Sequence, residues 1–250
     1  MLSWVLFWFI LSVVLKRNDI VDIAWGLGFI YFSIWVALST DQGMSQYIVF
    51  GLVFLWGLRL SVYLLMRIIR KPEDYRYLNW RNEWGRSFLV RSFFQVYVLQ
   101  NFLLLLIAIP LVIISLNAQN EPNLPAMIPG LSLWGYGFFW QTTADYQLFQ
   151  FKKDLANKGK IIQIGLWRRS RHPNYYGELC MWWGVWLCIL PYSYGWLGII
   201  SPILISWLII KVSGIPMLEA KYEGNKQFED YQKRVPVLIP KLKLLSKLRH

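Results

Sequence analysis

The chain has 250 residues, of which 56% are hydrophobic and only 16% charged, well under the roughly 25% charged content of soluble domains, so an ordinary water-soluble enzyme is excluded and a largely lipid solvent is expected. Its net charge of +12 suits nucleic acid only if the cations cluster on a soluble face, whereas here they punctuate apolar runs, so no nucleic-acid partner is expected. Two cysteines and two histidines, one of them the terminal His250, are too few for a zinc, haem or di-iron centre, and a metal-free reaction is expected.

In chain order, Leu2 to Leu15 lacks a basic n-region and a small-residue cleavage site, and Lys16 and Arg17 follow it rather than precede it. It is expected to be a retained, short first helix. Further apolar runs follow at Ile20 to Leu38, Tyr47 to Met66, Phe93 to Leu116, Leu131 to Phe151, Tyr175 to Leu190 and Tyr194 to Ile210. The last two, joined by Pro191 to Gly195, are short enough to form one re-entrant hairpin if they fail to cross. Cys180 and Cys188 share one helical stretch and stand about 12 Å apart at ~1.5 Å per residue, too far to pair.

The pattern predicts an all-α, polytopic transmembrane bundle of about seven helices, one integral membrane domain over residues 1–250. Alternate connections and the tail carry 2, 7, 7 and 9 basic residues, and the intervening connections carry none; of the 26 lysines and arginines, Arg59 alone lies inside a run. By the positive-inside rule the basic side is cytoplasmic, giving an N-terminus outside and a C-terminus inside, in the cytoplasmic membrane or the endoplasmic reticulum according to the organism. Trp and Tyr near the ends of the runs suit the headgroup zone, and the tail from Gly214 is expected to lie on the cytoplasmic surface.

Ionisable groups inside hydrocarbon are costly and mark candidate sites. Arg59 shares a helix face with Tyr63 at i+4; it either snorkels to the interface or pairs with Asp22 or Asp19. Gln141 and Asp145 stand one turn apart on the fifth run, and Asn174 and Glu178 repeat that spacing just after Pro173, a helix-start signal. Glu178 either seeks a buried partner or is a carboxylate favoured by the helix dipole, and Gln141 is either a site residue or a packing group. Between them Lys152 to Arg171 holds seven cations and leads into a helix start, which suits an anion such as a diphosphate as well as a purely topogenic loop. His172 is a titrating acid or an anion donor. Trp25-Gly-Leu-Gly28 is no dinucleotide fingerprint, because no strand precedes it.

The stretch Gly165-Leu-Trp-Arg-Arg-Ser-Arg-His-Pro-Asn-Tyr-Tyr-Gly-Glu-Leu-Cys-Met-Trp182 resembles the C-terminal motif of the steroid 5-alpha-reductase family and the sterol C14 reductases. Asn18-Asp-Ile-Val-Asp-Ile-Ala-Trp-Gly26, Glu73-Asp-Tyr-Arg-Tyr77 and Ile215-Pro-Met-Leu-Glu219 resemble an uncharacterised branch of that superfamily. The His-Pro-x-Tyr-x-Gly core is shared with isoprenylcysteine carboxyl methyltransferases and phospholipid methyltransferases, and Tyr231-Gln-Lys-Arg-Val-Pro236 is as close to their tail as to the reductases'.

The resemblance implies NADPH held by residues 131–250, on Gln141 (where the family has Asn), Asp145, Lys152, Lys160, Arg171, His172, Asn174, Tyr175, Glu178 and Tyr231. Residues 1–130 then form the side for a lipophilic substrate from the bilayer, with Arg59, Tyr63 or a protonated Asp22 as the group that polarises its carbonyl. The family's Glu and Tyr for that task are missing, and the Tyr-x-x-Arg pattern reads Trp56-Gly-Leu-Arg59. The expected activity is reduction of a conjugated carbon-carbon double bond in a steroid-like or isoprenoid-like molecule. An S-adenosylmethionine-dependent lipid methyltransferase and a non-enzymatic lipid-binding scaffold are the alternatives.

Overall fold

The computed structural model describes residues 1–39, 41–69, 71–118 and 124–241, and among them every regular element is helical. The helices are α1 (Leu2–Leu15), α2 (Ile20–Ser39), α3 (Met44–Ile69), α4 (Tyr75–Ile107), α5 (Ile109–Ser115), α6 (Leu124–Lys153), α7 (Pro173–Ile189), α8 (Gly195–Tyr222) and α9 (Lys226–Arg234). Four of them, α2, α3, α4 and α8, are long and apolar enough to cross a membrane. This is a helical membrane protein. The connection holding Asn123 and the Lys/Leu alternation after Lys241 lie outside the described residues.

Two runs differ from their expected bounds. The fourth begins not at Phe93 but at Tyr75, where the Asp74 side chain accepts from the Arg76 backbone N–H and caps the helix. Its cations read as loop, yet the helix continues through a turn at Gly85 (φ +48°) and a π turn over Phe93–Val98. It ends at Ile107 because Pro110, near the start of α5, lacks the N–H that an unbroken helix needs. The fifth run begins at Leu124 rather than Leu131 and carries Pro129 in its second turn, where one backbone bond is lost.

The chain divides into two compact units. The first comprises residues 1–125 and 189–201. In it α2 and α3 approach backbone to backbone: a Cβ on Gly26 would stand 2.8 Å from the Gly57 carbonyl oxygen, and one on Gly57 would stand 2.8 Å from that of Gly26. Small residues permit such contact between apolar helices, where packing replaces the hydrophobic drive available in water. The glycine of Trp25-Gly26 is therefore a packing residue. The buried side chains of Val5, Val21, Tyr77, Val96 and Tyr97 tie α1, α2 and α4 together. At the turn before α8, Asn117 accepts from the Ser193 N–H and donates to its carbonyl, both at 3.1 Å.

The second unit comprises residues 126–188 and 202–250, described as far as Lys241. Here α6 and α7 run antiparallel along a row of glycines. A Cβ on Gly137 would lie 2.5 Å from the Gly177 carbonyl oxygen, and one on Gly130 would lie 2.6 Å from that of Gly184. The seven-residue spacing on both helices keeps the glycines on one seam, which fixes the register of everything that follows along it.

Candidate functional site

That register decides which polar side chains meet. One turn beyond Gly137, Gln141 Nε2 donates to Glu178 Oε2 at 3.0 Å, and one further turn on, Asn174 Nδ2 donates to Asp145 Oδ1 at 3.2 Å. Two amide–carboxylate pairs thus bridge α6 and α7. Gln141 and Asp145 are buried, and Asn174 and Glu178 are half-buried. Gln141 Oε1 is also buried, and no described residue donates to it. A buried acceptor of this kind is a place where an N–H of a ligand gains a hydrogen bond without displacing a protein partner.

The segment before α7 is held from three sides. Gly165 sits at φ +55° with the Gln147 amide where a Cβ would be, and Gln147 Oε1 accepts from the Leu166 N–H at 2.9 Å. Trp167 Nε1 donates to the Ala144 carbonyl at 3.1 Å. Tyr231 of α9, buried, donates its hydroxyl to the Trp167 carbonyl at 2.5 Å; burial pushes its phenol well above the ordinary range, so the proton stays on. Tyr231 therefore latches this loop.

Arg171 and His172 converge on Glu219. Arg171 Nε donates to Glu219 Oε1 at 2.9 Å and its terminal nitrogens reach Glu219 Oε2 and the carbonyls of Gln232 and Val235, each at 3.3 Å. His172 Nε2 lies 2.8 Å from Glu219 Oε1, and because an ionised carboxylate only accepts, that nitrogen carries the proton. Tyr175 stacks on the imidazole at 5.7 Å between ring centroids. Gln232 adds a bond to Glu219 Oε2 at 3.0 Å. These two cations of the expected anion site thus tie the start of α7 to α8 and α9. Lys152 and Lys160, with Arg168 and Arg169, stand exposed on the same segment.

A second polar cluster lies in the first unit. Asp22 accepts from Arg76 through one oxygen and from the Tyr77 hydroxyl through the other, both at 2.9 Å. Arg76 also holds Asp74 at 3.0 Å, and Asp74 takes Arg67 at 2.9 Å. Burial alone raises the Asp74 carboxyl, but the bonds and charge of Arg76, with Arg67, outweigh it and hold it below the usual carboxylate range. Asp19 accepts from Arg17 at 2.9 Å and from the Asp74 N–H at 3.1 Å. Glu73 accepts from the Asn18 N–H at 2.6 Å and pairs with Arg81 at 3.2 Å, while the Asn18 amide donates to Ser92. The cation holding Asp22 is thus Arg76, from the start of α4, in the place expected of Arg59. Arg59 and Tyr63 are half-buried, one turn apart on α3.

Over residues 8–235 the sequence matches the family described as protein of unknown function (DUF1295). The chain belongs to this family. Comparison with curated proteins and with solved structures gives no match. The family's extent takes in both polar clusters, from Asn18 to Tyr231, so each is part of the shared unit rather than of an added tail. Sequence reasoning passed over Glu219, Arg76 and Tyr77 as site residues. Their signal was present in Ile215-Pro-Met-Leu-Glu219 and Glu73-Asp-Tyr-Arg-Tyr77, but a single chain does not reveal which distant cation each acid meets.

Proposed function

We propose that this member of the family is a membrane-embedded, NADPH-dependent reductase of a carbon-carbon double bond conjugated to a carbonyl in a lipophilic substrate drawn from the bilayer. The observation that carries the proposal is the pair of amide–carboxylate bridges at α6 and α7, with Gln141 Oε1 as a buried acceptor beside them. A carboxamide such as that of nicotinamide has N–H donors for this oxygen, and the residues present fit it. Glu178 orients Gln141, and Asp145 orients Asn174. Lys152 and Lys160, with Arg168 and Arg169, suit the phosphates, while Arg171, His172, Tyr175 and Tyr231 shape the loop between. NADPH, when bound, supplies a hydride. Arg59, Tyr63 and a protonated Asp22 are the proposed donors to the substrate's carbonyl oxygen, where negative charge develops.

The engagement of Arg171 and His172 by Glu219 favours a second reading, an S-adenosylmethionine-dependent lipid methyltransferase, because that cofactor lacks a diphosphate. The test is thermal unfolding of the detergent-purified protein. NADPH at ~100 times its dissociation constant adds about 2.7 kcal/mol of stability, and S-adenosylmethionine none. The gain should shrink in Gln141→Leu, Asn174→Ala and Glu178→Gln, and should fall as salt rises, since the phosphates are screened. Protection by S-adenosylmethionine alone would transfer the assignment to the methyltransferase, and protection by neither to a lipid-binding scaffold.

The topology that goes with this reading has seven crossings, the N-terminus outside and the basic connections cytoplasmic. In a cysteine-free background, an impermeant maleimide applied to intact cells is expected to label a cysteine at Asn123 and to spare cysteines at Lys158 and Glu223. Labelling at Lys158 contradicts the orientation.

A further inference from the structure

In the first unit a shallow groove opens between α1, α2 and α4, with about 20 Å³ of space at its base and Trp4, Trp8, Trp25 and Tyr97 among its walls. That is room for a group the size of a water, such as the hydroxyl of a lipid, whose body then lies along the open side of the groove. Gly28 helps to make it. A Cβ there would stand 2.5 Å from a methyl of Leu104 and 3.3 Å from Trp4 Nε1, two residues of the groove wall. The π turn over Phe93–Val98 lies just before the wall residues Gln100 and Asn101. By adding a residue to one turn it advances the face that follows by about 100°, the angular step of one helical residue.

Two polar atoms in this wall are buried without a described partner, Trp8 Nε1 and Asn101 Oδ1. Their needs are opposite, because an indole N–H only donates and an amide oxygen only accepts. A buried polar atom left unmade is costly, and where two of them line one groove a ligand that serves both has a ready advantage. A hydroxyl accepts one hydrogen bond and donates another. Apart from Gln100 and the Tyr97 hydroxyl, the wall around the pair is apolar, from Val5, Val21, Ala24 and Leu104 together with the indoles, so the hydroxyl that suits it is carried on an apolar body.

We propose that this groove is a binding site for a lipid alcohol, whose hydroxyl accepts from Trp8 Nε1–H and donates to Asn101 Oδ1 while its hydrocarbon lies along the indole faces. The proposal is independent of the reductase reading. It concerns the first unit alone and calls for a hydroxyl rather than the conjugated carbonyl of the proposed substrate.

The experiment is competition against a diazirine-bearing sterol alcohol on the intact chain in nanodiscs, without nucleotide, with adducts mapped by mass spectrometry. Cholestanol, cholestanone and cholestane share one body and differ only in the oxygen. Adducts are expected on α1, α2 or α4, and cholestanol should compete about tenfold better than the ketone, which cannot donate to Asn101, with the hydrocarbon weaker still. Farnesol serves as a linear alcohol, and preference for it or for cholestanol identifies the body, either result supporting the site. Asn101→Leu should bring alcohol and ketone within twofold of each other, and Trp8→Phe should weaken both. The ranking in the unmodified protein stands even if a variant fails to fold. Equal competition by cholestane and cholestanol, a ketone as good as the alcohol, or adducts confined to other helices would overturn the proposal.

Discussion

Replacing Arg76 by Leu is expected to lower the unfolding free energy by about 3–5 kcal/mol, the range for removing one member of a buried ion pair. The cost comes from what is left behind. Asp22 and Asp74 both take Arg76, and the Asp22 and Arg76 side chains are each only 22% exposed, so the acids stay in a poorly solvated place after their cation is gone. Arg67→Leu is the contrasting variant. Arg67 bonds the same Asp74 at 2.9 Å but is 45% exposed, and its loss should cost under about 1 kcal/mol. Combining Arg76→Leu with Asp22→Asn should cost less than the two changes summed, because the amide oxygen still accepts from Tyr77 and position 22 no longer strands a charge, and coupling of about 0.5–3 kcal/mol is usual for such neighbours. Thermal or denaturant unfolding in detergent reads all four. If Arg76→Leu is no worse than Arg67→Leu, the cluster is solvated and does not anchor α4 to α2.

The apolar runs were legible because composition alone separates lipid-facing helices from their connections, and for the same reason residues 75–92 were read as a connection. That stretch carries Arg76, Arg81, Arg86 and Arg91, and only the positions of their partners, Asp22 for Arg76 and Glu73 for Arg81, show that it is a helix with a charged face. The i, i+4 pairs Gln141/Asp145 and Asn174/Glu178 were legible as local spacing. Their union across α6 and α7 was not, since it depends on a register set by glycines some forty residues apart in the chain. Glu219 was the hardest to find. Nothing near it in sequence announces that Arg171 and His172, almost fifty residues earlier, will both bind it. Local chemistry is written along the chain, whereas the pairing of buried charges is decided by helix packing.

Helix α6 holds a test of that packing, in which one substitution has opposite signs at neighbouring positions. Gly135 has nothing within 4 Å of the place where a Cβ would stand, so Gly135→Ala should be neutral or stabilising by up to about 1 kcal/mol, the ordinary gain from replacing glycine inside a helix. Two residues on, the same change puts a methyl 2.5 Å from the Gly177 carbonyl oxygen. Backbone cannot rotate aside as a flexible side chain does, so the helices must separate, and Gly137→Ala should cost about 1–3 kcal/mol. Gly177→Ala meets the Gly137 carbonyl oxygen at the same distance and should cost as much, with Gly177→Val worse. The two alanines together should cost less than their sum, because helices already parted by the first methyl have room for the second. Separation also lengthens the 3.0 Å bond from Gln141 to Glu178, one turn from the contact, so the seam variants should lose NADPH protection at temperatures where they remain folded, while Gly135→Ala keeps it. Equal stability and equal nucleotide response in Gly135→Ala and Gly137→Ala would show that the glycine seam neither packs α6 on α7 nor sets the register of the site.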